Sequence, residues 1–160
     1  MSRVIPNEET WVGFSPTMPA AADLIPTAAE VAAATPVTDL LMGLNASAQG
    51  NTVPTPSFDS LFETSIVGTS QASFTADFYR DDTADTAWDL FPRGTEGVFY
   101  ISRFGGSGTD QLPILADKVE VWPIQVVSRT AANMANNTVQ SFTITCSVNI
   151  EPNESATITA

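Results

Sequence analysis

From Ser141 to Ile150 every second residue is apolar, with Phe142, Ile144, Cys146, Val148 and Ile150 on one side and Ser141, Thr143, Thr145, Ser147 and Asn149 on the other. A period of two belongs to a strand with one buried face and does not fit a helix. The polar set is uncharged along its whole length. Ordinary solvent surface accounts for that, and so does a face that lines a wet lumen or meets a neighbouring subunit.

The same alternation returns earlier, where Phe74, Ala76 and Phe78 interleave with Ser73, Thr75 and Asp77 in the stretch ending at Arg80. A helix is predicted next, over Thr83 to Phe91. Asp82 or Thr83 supplies its cap, and Asp85 sits in a first turn where the helix dipole favours negative charge. Ala84, Trp88 and Phe91 fall three to four apart on one face, and Pro92 and Gly94 end the element. Gly97 to Phe104 reads as another strand. The order strand, amphipathic helix, strand means that the helix covers a sheet.

This stretch also carries a family likeness. A strand ending in FYRDD (78–82), a short helix containing TAWDLF (86–91), then RGTEG (93–97) and an aromatic strand resemble the major tail tube proteins of long, flexible-tailed bacteriophages, especially those of actinobacterial hosts. The likeness extends more weakly over most of the chain. It implies a structural virion protein and no enzyme. Such subunits form stacked hexameric rings whose inner sheets join sideways into a hollow conduit for DNA. It further implies assembly in the host cytoplasm around a tape-measure protein, with tail-tip and tail-terminator proteins at the ends. In such proteins the region matching 45–57 is an extended hairpin or loop used between subunits. The N-terminal third departs from the family pattern, so contacts between rings are not carried over.

Composition narrows the remaining classes. The 160 residues suit a single domain and are 43% apolar, enough for a core without a metal or disulfide staple. Only 15% are charged, which favours strands and protein contacts over a heavily solvated surface. Eighteen acids against six scattered bases give a net charge of -12, and no basic stripe is present to grip phosphates. A wall past which DNA slides should be of this sign or neutral, although acidity also serves solubility.

Histidine is absent and Cys146 is the single cysteine, which rules out Ser-His-Asp and Cys-His systems, the usual zinc sites and intrachain disulfides. Cys146 reads as a small core residue. No segment is apolar for long enough to span a bilayer, and the acids and prolines near the N-terminus do not make a signal peptide, so no membrane step is expected. The cluster Asp81, Asp82, Asp85 and Asp89 lacks the spacing of a calcium loop and reads as capping and solvation ahead of a metal or an acid-base pair. The glycine turn at Gly105 to Thr109 lacks the ending of a phosphate loop and reads as a linker. No catalytic residue, cofactor or metal ligand is assigned.

The rest of the chain is read in outline. Residues 1–26 form a proline-broken arm that lies on its own domain or on a neighbour. Thr27 to Glu30 is a capping box ahead of a short helix, and Val37 to Leu44 is a strand. Residues 45–57, rich in Gly, Asn, Ser and Pro, read as a long loop, and Phe58 to Gly68 is ambiguous between strand and helical turn. Asp117 to Val127 is a strand that Pro123 marks as an edge or bulge, Ser128 to Asn137 is a polar connection, and 151–160 is a loose tail. The candidates for contact with other subunits are Trp11 and Phe14 in the arm, Asn45, Asn51 and Val53 in the loop, and Trp122 beside Pro123. The expected fold is mainly β: two packed antiparallel sheets, as a sandwich or flattened barrel, with one flanking helix. The alternative is a monomeric β-sandwich binding module for carbohydrate or adhesion.

Overall fold

The computed structural model describes residues 9–56 and 64–160. Among these, eight strands make one antiparallel sheet: β1 (Trp11–Ser15), β2 (Thr35–Pro36), β3 (Leu41–Thr55), β4 (Thr64–Tyr79), β5 (Glu96–Ser102), β6 (Lys118–Ala131), β7 (Ser141–Ser147) and β8 (Asn153–Thr157). Their order across the sheet is β2-β1-β5-β6-β7-β4-β3, with β8 paired to the first part of β6. Helix α1 (Ala28–Ala32) and helix α2 (Thr86–Leu90) are single turns.

The chain is mainly β, as its alternation requires, but two layers arise without two sheets. One continuous ladder folds over so that β4 and β7 face β1 and β5. Stacked and edge-on phenylalanines fill the fold. Phe91, directly after α2, meets Phe14 of β1 at 4.9 Å, Phe78 of β4 at 5.0 Å and Phe99 of β5 at 5.5 Å between ring centroids, and Phe74 stacks on Phe99 at 4.8 Å. Val12, Ile101, Trp122, Ile144 and Cys146 complete this core. Long β6 makes the turn-over possible because it belongs to both halves, pairing β5 through Gln125 and β7 from Gln125 to Ala131.

A second apolar cluster lies behind β1, β5 and the first part of β6. It holds Trp11, Leu24, Val31, Val98, Tyr100, Val121, Ala156 and Ile158. A Cβ on Gly13 would come within 2.3 Å of the Trp11 ring, so only glycine lets the indole lie flat on β1. The capping box holds α1 in this layer. The Thr27 and Ala20 amides donate to the Glu30 carboxylate at 2.8 and 2.9 Å, and the Glu30 amide donates to Thr27 Oγ1 at 3.3 Å.

Several expectations need correction. Residues 45–55 are strand and not loop: β3 runs on through them in a ladder with β4. Their small polar side chains face water on both sides over the outer part, so no alternation betrays the strand. Of the ambiguous stretch, 64–68 belong to β4, while Ser57 and 58–63 lie outside the described residues. The C-terminal stretch is not loose. β8 pairs with β6, and buried Ala156 and Ile158 anchor it. The principal helix shrinks from Thr83–Phe91 to one turn, and neither Asp82 nor Thr83 caps it. Its cap residue is Asp85, whose side chain goes to Arg80 instead. Pro123 sits inside β6, opposite Val98, in the gap where β8 has stopped at Val121 and β7 begins only at Gln125. A missing N–H costs the ladder nothing there.

Candidate assembly interface

The registers line up side chains into rows across four strands. Gly43, Asp77, Thr143 and Thr130 form one row, and Asn45, Thr75, Thr145 and Ser128 the next. Ser47, Ser73, Ser147 and Gln125 form the third. One charge, Asp77, stands among these twelve residues. Two pairs within the rows bond to each other: the Ser47 and Ser73 hydroxyls lie 3.0 Å apart, and Thr143 donates to the Asp77 carboxylate. Glu96 continues the third row and accepts from Gln125 Nε2 at 2.9 Å. The reverse of these rows is the phenylalanine core, so the polar face is held rigid from behind.

Both borders of this four-stranded region are open among the described residues. β3 has β4 on one side and no strand on the other, and its 15 residues include no charge. Natural sheets blunt exposed edges with charge, proline or short strands, and β3 offers only Pro54 near its end. At the opposite border β5 stops against Gln125, so from Val127 on β6 has strand pairing on its β7 side alone. The other end of the whole sheet is closed differently. β2 is two residues long with Pro36 in it, and the amides of Val37 and Val12 are spent on the Val12 carbonyl and Thr38 Oγ1, each at 2.9 Å.

Beyond Gly50 the β3–β4 hairpin leaves the body as a two-stranded arm. Val53, Ile66 and Val67 are 47, 59 and 86% exposed on it. A ribbon of two strands is marginal in water unless something covers it.

The sequence-derived candidates divide. Asn45 stands on the polar face opposite Thr75, Asn51 at the irregularity where the arm begins, and Val53 on the arm opposite Ile66. Trp11, Phe14 and Trp122 are at most 4% exposed and are core residues of the subunit. Their size and apolarity fit a core as well as an interface, and only the fold separates the two. Trp122 Nε1 donates to Glu120 at 3.1 Å, the carboxylate that also binds Arg103. Ser73, Thr75 and Asp77 stand on the outer face that the alternation implies, while Ile66 and Val67 were not among the candidates. The available signal was a charge-free run on each side of the hairpin, 40–55 and 64–76.

The acidic cluster is used locally. Asp81 accepts from the Thr83 amide at 2.8 Å, which draws its carboxyl below the usual range, and Arg80 binds Asp85 at 2.5 Å. Trp88 is held between two guanidinium groups, Arg80 at 4.0 Å and Arg129 at 3.6 Å from its ring centre, and meets Phe142 edge-on at 5.1 Å. Burial pushes the Cys146 thiol up to about 12, so it stays protonated and unreactive. These bases serve folding and are withdrawn from the polar face.

A family model described as phage tail tube protein matches residues 1–160. The chain belongs to the phage tail tube proteins. Members of this family are structural proteins, not enzymes, and reside in the virion tail. The fold agrees. Similar solved chains include one in the virion of a native gene transfer agent particle, with 13% identity and a TM-score of 0.57 over 96% of this chain and 99% of that one. Another is in the tail of an empty gene transfer agent particle with C6 symmetry, with 19% identity and a TM-score of 0.51 over 73 and 83%. A third is in the six-fold symmetrised baseplate of the anti-feeding prophage, with 9% identity and a TM-score of 0.54 over 99 and 98%. No curated protein matches the sequence.

Proposed function

We propose that this tail tube protein is the repeating subunit of stacked six-membered rings, and that its β6-β7-β4-β3 region is the wall of the channel. The open edge of β3 in one copy pairs with the open edge of β6 in the next. Because the two edges lie at opposite borders of the four-stranded region, the contact is head-to-tail, and a rotation that closes gives a ring. Six copies of four strands make about 24 strands, and at ~4.8 Å spacing and ~40° tilt these close at a backbone radius of roughly 24 Å, wide enough for a DNA duplex.

One observation carries this reading: a rigid, nearly uncharged polar face whose two borders are both unfinished. Such a face neither condenses on phosphate nor offers it a basic foothold, so DNA passes without specific binding. Assembly around a tape-measure protein, between tail-tip and terminator proteins, completes the reading by family likeness. The test is negative-stain microscopy and mass measurement of the purified chain. Rings or tubes are expected, and a species that stays monomeric at high concentration refutes the proposal. Replacing residues 51–69 with a two-residue Asn-Gly turn between the paired Gly50 and Ser70 is expected to leave a folded subunit that no longer polymerises.

A further inference from the structure

The first residues of β3 border a groove. Between them and the ends of β1 and β5 lies a hollow of about 440 Å³, floored by Val12 and Ile101 and rimmed by Leu41, Met42, Leu44 and Phe104. Met42 stands at the irregularity between the Leu41–Phe78 and Gly43–Asp77 pairs and is 49% exposed, and Phe104 is 75% exposed. A second exposed apolar group stands at the opposite border of the four-stranded region. There the β6–β7 connection, 132–140, carries no charge and holds Met134 and Val139 at 84 and 62% exposure.

Edge pairing between copies brings the two together. Ala131, Phe142, Phe78 and Leu41 form one row across β6, β7, β4 and β3. Three antiparallel steps leave β3 opposed in direction to β6, so β3 meets the next copy's β6 antiparallel as well. Strands tilted by ~40° at ~4.8 Å spacing stagger each four-strand copy by about 16 Å, or about five residues. The slide has one available direction, because Val126 is already bonded to Gly94 and Thr95 and β6 is open only beyond it. Ala131 of one copy then lies near Ala46 of the next, and the connection after it runs back past Leu44 to Leu41, along the groove.

We infer that the β6–β7 connection of one copy seats Met134 in this groove of the next copy. The inference rests on the edge-to-edge reading and names the contact that finishes it. A second copy is the occupant by continuity, since the groove lies against the open β3 edge, and by charge. Arg103, held by Glu120, is the one charged residue lining the groove. Asp77, opposite Gly43, stands on the polar face, and Asp39 borders a separate hollow with Trp11, Pro36 and Gln111. Copies of net charge -12 thus meet here through an uncharged segment and a groove lined by no carboxylate.

The test is cross-linking of full-length chains. Assemblies of Met134→Cys and Met42→Cys chains in equal parts are oxidised and then denatured, and Cys146 stays out of the reaction because it is buried. A disulfide-linked dimer is expected at about tenfold or more the level in assemblies of either variant alone. Met134→Lys is expected to lower sedimentable polymer by a similar factor, since a charge is then buried at the contact, and to leave the single subunit's thermal midpoint unmoved. Assemblies that form without the dimer, or Met134→Lys polymer at the wild-type level, overturn the inference and leave the edge pairing standing. A bridge between Val4→Cys and Met42→Cys overturns it too, by making residues 1–8 the occupant. So does a bridge inside the unpolymerised chain carrying both Met42→Cys and Met134→Cys. If the wild-type chain never polymerises, the edge pairing fails and this inference with it.

Discussion

The two halves of the sheet share one aromatic core and differ in what lies behind them. Behind β1, β5 and the start of β6 a second apolar cluster closes the back, with α1 and β8 laid over it. Behind β3, β4, β7 and the end of β6 the described residues lay down no second cluster, and the exposed side chains are Ser, Thr, Asn and Gln with the single charge of Asp77. A half sealed on both faces makes the subunit stable by itself. A half sealed on one face, with open edges and an unsupported arm, reserves its surface for contact.

Phe91 is the joint between the halves, so Phe91→Ala should produce the largest effect, about 3–5 kcal/mol lost in urea unfolding. A loss below about 1 kcal/mol would break the comparison by showing that the halves do not share their stability. Trp88→Ala should cost less, about 2 kcal/mol, because part of that ring is exposed and its gain comes from two guanidinium contacts and one edge-on phenylalanine. Arg129→Ala should cost about 1 kcal/mol by removing one of those contacts.

Acid should separate the halves further. The Thr27 amide, then the Ala20 amide and the Thr27 hydroxyl, outweigh burial and hold the Glu30 carboxyl below its usual range. At Asp117 burial pushes upward, but the amides of Ile114 and Ser107 and the Ser107 hydroxyl overcome it and the carboxyl is lowered. A depressed carboxyl stabilises the fold above its unfolded value, about 4, and that contribution is lost as pH falls through the lower folded value. Protection of the Val31 amide from hydrogen exchange, relative to the unfolded chain at the same pH, should therefore fall below about pH 4, and Glu30→Gln should remove that pH dependence. The β7 amides lie in the ladders with β4 and β6, away from both carboxylates, and should not share the change.

The smallest expected effect on stability is the most telling for function. Thr75→Lys on the polar face should change unfolding by no more than about 0.5 kcal/mol. Assembled rings should nevertheless begin to hold DNA in a salt-dependent way, measured by co-sedimentation at rising salt. Rings that ignore DNA after this change would mean that the polar face does not line the channel.

The central unit was legible because burial imposes period two. Phe74, Ala76 and Phe78, and Phe142, Ile144 and Cys146, must all turn to one side, and the structure sets them in register on adjacent strands. The capping box at Thr27 was legible because both partners lie within four residues. The arm was hidden because its strands face water twice and its small residues imitate a loop. The tail was hidden because β8 is fixed by distant partners, Ala156 against Val119 and Thr159 against Thr27.

The sequence by itself determined that this protein is built of alternating strands and that the last of them has an uncharged outer face, since side-chain alternation and missing charge are properties of the chain. Tertiary structure decided that one sheet serves as two layers, that Trp11, Phe14 and Trp122 are core, and which borders stay open. Those outcomes depend on which strands become neighbours, and pairing is set by contacts between residues far apart in the chain.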